Sequence, residues 1–199
     1  MLSGMAPRLI LASSSRYRRE LLARLGIDFD SASPDVDESP LPGESPAALV
    51  LRLAELKARK VGGGEPGAVV IGSDQVAVHE GKVLGKPGTT ANAERQLAEL
   101  SGQRVDFLTG VAVLNSATGQ LQTHTDRTTT TFRRLSEAEI RRYVELDQPL
   151  DCAGAIKSES RGVMLFERVD TEDPTAAIGL PLIRLAALLR NEGINPLDD

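Results

Sequence analysis

The fold is decided by one stretch, Ala68-Val-Val-Ile-Gly-Ser-Asp-Gln-Val-Ala-Val-His-Glu-Gly-Lys-Val-Leu-Gly-Lys-Pro87. It opens with an apolar, β-branched block at 69–71, which predicts a short buried strand that stops at Gly72-Ser73. Asp74 follows at once. Open α/β sheets keep their chemistry just past the carboxyl ends of buried strands, so this carboxylate is a candidate for catalysis.

The second half of the stretch predicts a β-hairpin. Residues 76–79 and 82–84 are strand-like, and Glu80-Gly81 between them is a typical turn pair. The hairpin returns the chain to Lys86, so that an acid and a lysine on two arms of one unit can face one cavity. The alternative interpretation is a surface Asp74 at a turn and a solvated Lys86.

Composition bounds the class of protein. The chain has 199 residues, 41% of them hydrophobic, which suits one domain with a sizeable core or two small lobes. Its net charge of −5 argues against unaided binding to nucleic acid or to an anionic membrane, since both need a basic patch. No apolar run reaches the ~20 residues that span a bilayer, and no signal peptide is visible. We therefore expect a cytoplasmic protein; the oligomeric state is open, with a homodimer among the alternatives.

The residues before the central stretch predict an anion site. Residues 9–12 form a short apolar strand, and a serine-rich turn leads into a helical pattern from Arg16 onward, with Ser15 as its N-cap. Free amides and the helix dipole favour phosphate at such a place. Ser13 and Ser15 add hydroxyl donors, and Arg18 adds a guanidinium fork. The alternative is a capped amphipathic helix with solvated arginines.

Candidate cation ligands are carboxylates. Cys152 is the only cysteine and the two histidines are far apart in sequence, which gives no disulfide framework and argues against a Cys or His metal site. Asp35, Asp37 and Glu38 lie in a proline-bounded loop and could approach a divalent cation. More often such a run is simply solvated.

The remaining elements alternate between helices and strands. Ser45-Pro46 starts a helix that runs to about Val61, and Lys57 near its end is expected to be solvated. Further helices are predicted at 89–100, at 136–146 with a capping box, and after Gly179-Leu180-Pro181; strands are predicted at 105–115, 120–133 and 163–168. This order predicts an α/β protein with a mixed sheet.

The motifs, taken in order, resemble the Maf family of nucleoside triphosphate pyrophosphatases, and the likeness runs from Leu9 to Leu197. The motifs are Leu-Ala-Ser-x-Ser-x-x-Arg-Arg at 11–19, Asp37-Glu38, the Lys57 helix, Gly72-Ser73-Asp74, Gly85-Lys86-Pro87, Thr109-Gly110, Ala153-Gly154 and Gly179-Leu180-Pro181. Each alone is weak, but the ordered set makes an accidental match improbable.

The resemblance implies an inosine triphosphatase-like fold, a mixed twisted sheet in two lobes with a central nucleotide cleft. One domain would then cover residues 1–199, with residues 1–7 expected to be a disordered tail. The implied reaction is hydrolysis of a nucleoside triphosphate between the α and β phosphates, with a divalent cation (Mg, Mn or Co).

The resemblance also implies roles for single residues. Asp74 would be the proton acceptor, and Lys86 and Glu38 would join it in catalysis. The implied substrate-binding residues are Ser13, Ser15, Arg18 and Lys57. Glu38 and Asp74 are the implied metal ligands, and the sequence leaves open which of them binds the cation and which activates water.

Three positions separate the branches of the family. The branch that cleaves dTTP and UTP has Arg, Thr and Gln where this chain has Tyr17, Gln75 and Glu159. The chain is more similar to the branch that hydrolyses 7-methyl-GTP, which has an aromatic residue, Gln and Glu there. Methylation at N7 makes guanine cationic, so that Tyr17 could stack on it and Glu159 could offset its charge. Gln75 could supply an amide to a base or ribose edge.

Three functions are therefore carried forward. The leading one is a pyrophosphatase acting on 7-methyl-GTP, and the first alternative is the same chemistry on dTTP, UTP or another non-standard nucleotide. The second alternative is a nucleotide-binding regulator of septum formation. The presence of Asp74, Lys86 and Glu38 argues against a role in binding alone, because a regulator needs no poised base.

Overall fold

The computed structural model describes residues 7–198. The tail expected at residues 1–7 therefore lies outside the described residues, except for Pro7. The strands are Arg8–Ala12 (β1), Asp30–Ala32 (β2), Ala68–His79 (β3), Lys82–Leu84 (β4), Arg104–Asn115 (β5), Leu121–Phe132 (β6) and Phe166–Asp170 (β7). The helices are Arg16–Ala23 (α1), Pro46–Gly62 (α2), Thr90–Leu100 (α3), Glu137–Asp147 (α4) and Leu182–Asn191 (α5).

The strands form one mixed seven-stranded sheet in the order β2-β1-β3-β5-β6-β7, with β4 paired to β3. β1 runs parallel to β2 and β3, whereas the pairs β3–β4, β3–β5, β5–β6 and β6–β7 are antiparallel. The α/β class and the mixed sheet predicted from the sequence are confirmed.

Successive side chains of β3 point to opposite faces of the sheet, as in any strand, and both faces are covered by helices. Val69 and Ile71 pack on one face with Leu21 of α1 and with residues of α5. Val70 packs on the other face with Ala54 and other residues of α2. Helices α3 and α4 cover the far end of β3 and β5 in a separate apolar cluster.

The prediction that the central strand stops at Gly72-Ser73 is wrong. β3 continues to His79, because its antiparallel pairing with β5 is unbroken from Val69 to Val78. Asp74 therefore lies in the middle of a strand. The strand that does end here is the neighbour β1, whose last residue, Ala12, pairs with Gly72.

The end of β1 leaves a gap in the sheet beside β3. β1 pairs with β3 as far as Gly72, and β4 pairs with β3 from Ala77 onward. Residues 73–76 therefore have no strand beside them on this edge, and two of them, Asp74 and Gln75, line a cleft that opens here. The loops that follow β1 and β4 flank this gap, which is why the candidate residues converge here.

Two glycines let α2 lie directly on the sheet. A Cβ atom at Gly72 would approach the carbonyl oxygen of Ala54 to 2.0 Å, and one at Gly110 would approach that of Val50 to 2.3 Å. Gly110 is also the register partner of Asp74. A side chain at either glycine would push α2 away from the strand that carries Asp74.

Local signals placed most other elements correctly. The 80–81 turn has positive φ at both residues, as a two-residue hairpin turn requires, and the capping box at Ser136 and Glu139 is present. The last strand begins at Phe166 rather than 163, because Arg161–Leu165 forms a 3₁₀ turn. β2, which is short and mostly exposed, was not predicted.

Candidate active site

A cleft of about 850 Å³ opens at the gap beside β3. It is lined by all ten residues for which the resemblance implied a catalytic, binding or specificity role: Ser13, Ser15, Tyr17, Arg18, Glu38, Lys57, Asp74, Gln75, Lys86 and Glu159. Of the two other acids in the loop that carries Glu38, Asp35 also lines the cleft, and Asp37 instead accepts a hydrogen bond from the amide of Ser39. The structure thus brings together side chains from α1, α2, β3 and four loops. Their roles in the reaction stay predictions.

The serine turn after β1 is built around backbone amides. Ser13 Oγ accepts a hydrogen bond from the amide of Ser15 at 3.1 Å, and Ser15 Oγ accepts one from the amide of Arg18 at 3.4 Å. Ser15 is the N-cap of α1, as predicted. A hydroxyl that accepts from a backbone amide still has its own proton to donate, so both serines can donate to an anion in the cleft.

Arg18 is fixed by the opposite side of the site. Its Nε donates to the carbonyl oxygen of Gly179 at 2.8 Å, which directs the guanidinium into the cleft. Burial lowers the pKa of Arg18, while the charges of Asp74 and Glu38 oppose this shift. An arginine remains charged under such a shift, so the site keeps a cation here.

Lys57 joins the two candidate carboxylates. It is only 5% exposed, and its Nζ lies 2.7 Å from Asp74 Oδ1 and 2.6 Å from Glu38 Oε1. The interpretation of Lys57 as solvated, made from its place near the end of a helix, is wrong. The close approach of α2 to Gly72 turns this part of the helix toward Asp74 instead.

Glu38 reaches the site from an exposed loop. Partial burial opposes its ionisation, but contact with Lys57 and the charges of Arg18 and Lys86 outweigh it, so the pKa of Glu38 lies below its usual range. Lys86 is exposed at the cleft wall, where it follows β4. These five residues form one group, which we call the cationic cluster: the bases Arg18, Lys57 and Lys86 and the acids Asp74 and Glu38.

Gln75 is oriented by backbone that lies far away in sequence. Its Nε2 lies 2.8 Å from the carbonyl oxygen of Ala176, 3.0 Å from that of Ala177 and 3.0 Å from Thr109 Oγ1. Thr109 also donates to Ala176. Only the NH₂ group of Gln75 can donate to these carbonyls, so its Oε1 faces away from them. Of the amide that Gln75 was expected to offer to a base or ribose edge, the oxygen is therefore the part that remains to bind a substrate.

A second group of residues, which we call the acidic cluster, comprises Asp147, Asp151 and Glu159 around Tyr17 and Cys152. Partial burial raises the pKa of Glu159, and the charges of Asp147 and Asp151 add to the shift. Burial, together with Asp151 and Glu159, raises the pKa of the Cys152 thiol to about 12. Cys152 is therefore a neutral thiol at physiological pH, not a nucleophile.

Tyr17 lies close enough to the acidic cluster for the charges of Glu159 and Asp151 to act on its hydroxyl. Burial raises the pKa of its hydroxyl, and Glu159, Cys152 and Asp151 add to the shift. The Arg16 guanidinium lies 5.2 Å from the centre of the Tyr17 ring, a distance typical of a cation–π contact. The ring can therefore hold a cation on its face.

The segment that carries Glu159 is irregular but anchored to α4. Asp147 accepts from the amide of Arg161 at 3.0 Å and from its guanidinium at 2.9 Å. Tyr143 accepts from the amide of Lys157 at 3.0 Å. Gly162 closes the turn, since a Cβ atom there would approach the carbonyl oxygen of Lys157 to 2.3 Å.

Sequence reasoning missed the turn at 176–179. Its carbonyl oxygens accept from Arg18, Ser73, Gln75 and Thr109, and so it connects α1, β3 and β5. The local pattern of Gly179-Leu180-Pro181 was interpreted as the start of the last helix, and α5 does begin at Leu182, but no role in holding site residues was assigned to it. Asp151 was also missed, because an exposed acid in a loop carries no local signal.

The family comparison identifies the chain. Residues 8–192 match the model of the family described as Maf-like protein. The chain belongs to this family. The resemblance inferred from the ordered motifs is thereby confirmed over nearly the whole chain.

Curated relatives cover almost the same span. The chain is 55% identical over 188 residues to a protein of Pseudomonas aeruginosa named 7-methyl-GTP pyrophosphatase, covering 94% of the chain and 98% of the relative. It is 56% identical over 186 residues to a protein of the same name from Pseudomonas putida, covering 94% of the chain and 97% of the relative.

A solved structure shares the fold. The Staphylococcus aureus Ham1 protein aligns with a TM-score of 0.51 at 14% identity, covering 93% of this chain and 99% of that one. This likeness confirms the inosine triphosphatase-like fold expected for the family. Among residues 7–198, no helix is both long and apolar enough to cross a membrane.

The carboxylate oxygens of Glu38 and Asp74 fit a divalent cation whose remaining ligands would be phosphate oxygens and water. Within the described part of the chain, no three His, Cys, Asp or Glu side chains come together as a closed metal site. Mg²⁺ in nucleotide enzymes is usually bound by one or two carboxylates plus substrate phosphates and water. Glu38 and Asp74, which converge on one nitrogen atom, match this open arrangement.

Proposed function

We propose that this protein hydrolyses 7-methyl-GTP to 7-methyl-GMP and pyrophosphate. The observation that carries the proposal is the charge layout of the cleft, which is lined by the cationic cluster and by Asp151 and Glu159 of the acidic cluster. A triphosphate suits the first and a cationic base suits the second. The name of the two relatives that are 55% and 56% identical agrees with this substrate.

The cationic cluster would hold the triphosphate. Arg18 and Lys86, which both line the cleft, offer charged donors, and the first-turn amides of α1 add the positive end of its dipole. Negative charge develops on the leaving pyrophosphate as the reaction proceeds. Donors that are already in place stabilise this charge without reorganisation, and this supplies most of the catalysis in phosphoryl transfer.

Asp74 would take the proton of the attacking water. The water oxygen bonds to the α-phosphorus, the bond from that phosphorus to the α–β bridging oxygen breaks, and pyrophosphate leaves with the bonding electrons. Asp74 Oδ1 is engaged by Lys57, so Oδ2 is the oxygen placed to accept a proton. The central strand holds this carboxylate rigidly.

A divalent cation (Mg, Mn or Co), bound by Glu38 and Asp74 together with the phosphates, would neutralise phosphate charge. Glu38 is the more adaptable of the two ligands, because its loop is exposed while Asp74 is fixed in β3. In the structure, Lys57 Nζ is paired with one oxygen of each of these carboxylates.

The acidic cluster would select the base. The carboxylate of Glu159 would accept from the guanine N1–H and amino group and offset the charge that N7 methylation creates. Gln75 Oε1 offers a further acceptor to a donor on the base or ribose. Lys157 also lines the cleft, where its charge favours the ionised form of Glu159 and its Nζ donates to the carbonyl oxygen of Asp147 at 2.7 Å.

The test is pyrophosphate release from 7-methyl-GTP, GTP, dTTP and UTP. We expect kcat/KM for 7-methyl-GTP to exceed that for GTP by tens-fold, as one charge-assisted hydrogen bond and a stacked ring together allow. A preference for dTTP or UTP would contradict the substrate while leaving pyrophosphatase activity in place. Nucleotide binding with no release from any of the four would favour the regulator.

The proposal retains two expectations from the sequence. One is a cytoplasmic location, where nucleoside triphosphates are available to the enzyme. The other is the homodimer, which sedimentation at micromolar concentration would detect.

A further inference from the structure

We propose that the Lys57 ammonium holds the place of a divalent cation between Asp74 and Glu38, and leaves that place when cation and nucleotide bind together. This rests on the proposed function in one respect, that the two carboxylates are the cation ligands. Lys57 would then be a positioning residue. Its presence or absence between the carboxylates would couple the binding of the cation to the binding of the nucleotide.

The geometry places the ammonium at the point of convergence. Lys57 Nζ lies within 2.7 Å of one oxygen of each carboxylate, and within residues 7–198 it makes no other side-chain or backbone hydrogen bond. Hard divalent cations prefer these same oxygen donors. One cation therefore occupies the position that the other requires.

Burial makes this exchange necessary. Lys57 is 5% exposed and Asp74 is 7% exposed, so neither charge can stay unpaired at low cost. Two cations that share the same pair of oxygens in so enclosed a place repel each other strongly. A bound cation therefore needs Lys57 to turn away, and a triphosphate in the cleft offers its ammonium a new anionic partner.

The two carboxylates differ in how far they can adapt. Asp74 is held in β3 by pairing on the β5 side, whereas the Glu38 side chain is 59% exposed on a loop. Exchange of Lys57 for a cation thus requires movement mainly of the Lys57 and Glu38 side chains. The consequence is positive coupling, because each ligand binds better when the other has displaced or captured the lysine.

The experiment measures Mn²⁺ binding without nucleotide, by electron paramagnetic resonance of the free ion, in wild type, Lys57→Met and Lys57→Gln. Lys86→Met is the matched control, since it removes the same charge from the same cleft without vacating the point between the carboxylates. We expect both Lys57 variants to bind Mn²⁺ about tenfold or more tightly than wild type, because the lysine ammonium no longer competes with Mn²⁺ for the position between Asp74 and Glu38. Lys86→Met should change affinity much less.

Equal gains in the Lys57 and Lys86 variants would overturn the proposal, since only general charge would matter. Weaker binding in the Lys57 variants, or none in any protein, would also overturn it, because Lys57 would then organise the carboxylates for the cation. Thermal unfolding gives a second readout that needs no activity. Without Mn²⁺, the Lys57 variants should have a lower Tm than wild type. Adding Mn²⁺ should raise the Tm of the variants by more than it raises the Tm of wild type.

Lys57→Gln keeps a hydrogen-bond donor and serves if Lys57→Met does not fold. Pyrophosphate release by wild type separates the two proposals. If the Lys57 variants bind Mn²⁺ no more tightly than wild type while wild type hydrolyses 7-methyl-GTP normally, only the proposal that Lys57 holds the place of the cation is refuted. The Mn²⁺ pattern without turnover refutes the proposed function alone.

Discussion

The central pair of the cationic cluster, Lys57 and Asp74, is buried and lies on regular structure, whereas two carboxylates of the acidic cluster, Asp151 and Glu159, lie on irregular and exposed segments. Asp74 lies in the central strand and Lys57 on the buried face of α2, and they pair at 2.7 Å. Glu159 is exposed between two 3₁₀ turns and depends on Asp147 and Tyr143 of α4 for its position. The difference suggests that chemistry is fixed by the core of the fold, while base choice sits on segments that can vary without disturbing it.

Asp74→Asn should produce the largest effect and tests the first half of this contrast. The change keeps the shape of the side chain and removes the base, so hydrolysis should fall by about a hundredfold or more. Nucleotide binding should survive, which calorimetry with 7-methyl-GTP can measure on the inactive variant. Turnover near that of wild type would mean that Asp74 is not the proton acceptor.

Arg18→Ala should weaken binding of 7-methyl-GTP far more than binding of 7-methyl-GMP, because the guanidinium serves the added phosphates rather than the base. Calorimetry in the Asp74→Asn background avoids turnover during the titration. Arg19→Ala is the matched control, since Arg19 carries the same charge on an exposed face of α1. Equal losses for both nucleotides would place Arg18 outside the phosphate site.

The acidic cluster should make base choice dependent on pH. Its environment raises the pKa of Glu159, and the carboxylate must be ionised to offset a cationic base. The preference for 7-methyl-GTP over GTP should therefore be complete above this raised pKa and decline as pH falls through it. The kcat/KM ratio across pH measures this. A decline at or below the usual range of glutamate, about 4.3, would contradict the raised pKa.

Tyr17→Ala should have the smallest effect. A cation–π contact at an exposed site contributes about 0.5–1 kcal/mol, or about two- to fivefold in the preference for the methylated base. Tyr17→Phe keeps the ring and should keep the preference. If Tyr17→Phe loses as much as Tyr17→Ala, the hydroxyl and not the ring is what matters.

Local features of this fold could be predicted from the sequence and distant ones could not. The 80–81 turn, the N-cap at Ser15 and the capping box at Ser136 each depend on residues within four positions of one another, and all three are present. The length of β3 depends on its pairing with β5, whose partner residues lie 28 to 46 positions onward, and no local pattern encodes that pairing. The predicted stop at Gly72-Ser73 was wrong for this reason.

The same distinction applies to the site. Lys57 was misjudged from its position near a helix end, because its partner Asp74 and the glycine that admits the helix lie on another element. The orientation of Gln75 is set by carbonyl oxygens at 176 and 177, about a hundred residues away. The family motifs brought Lys57 and Gln75 to attention, but only the fold showed what each of them contacts.

The central claim is that charge at Glu159 selects the base independently of the cationic cluster, and Glu159→Gln tests it most directly. The measurement is kcat/KM for 7-methyl-GTP, GTP, dTTP and UTP in wild type and the variant. We expect a loss of about tenfold or more for 7-methyl-GTP, from one charge-assisted hydrogen bond, with GTP nearly unchanged. Equal losses on all four substrates would show that Glu159 is structural and would contradict the account.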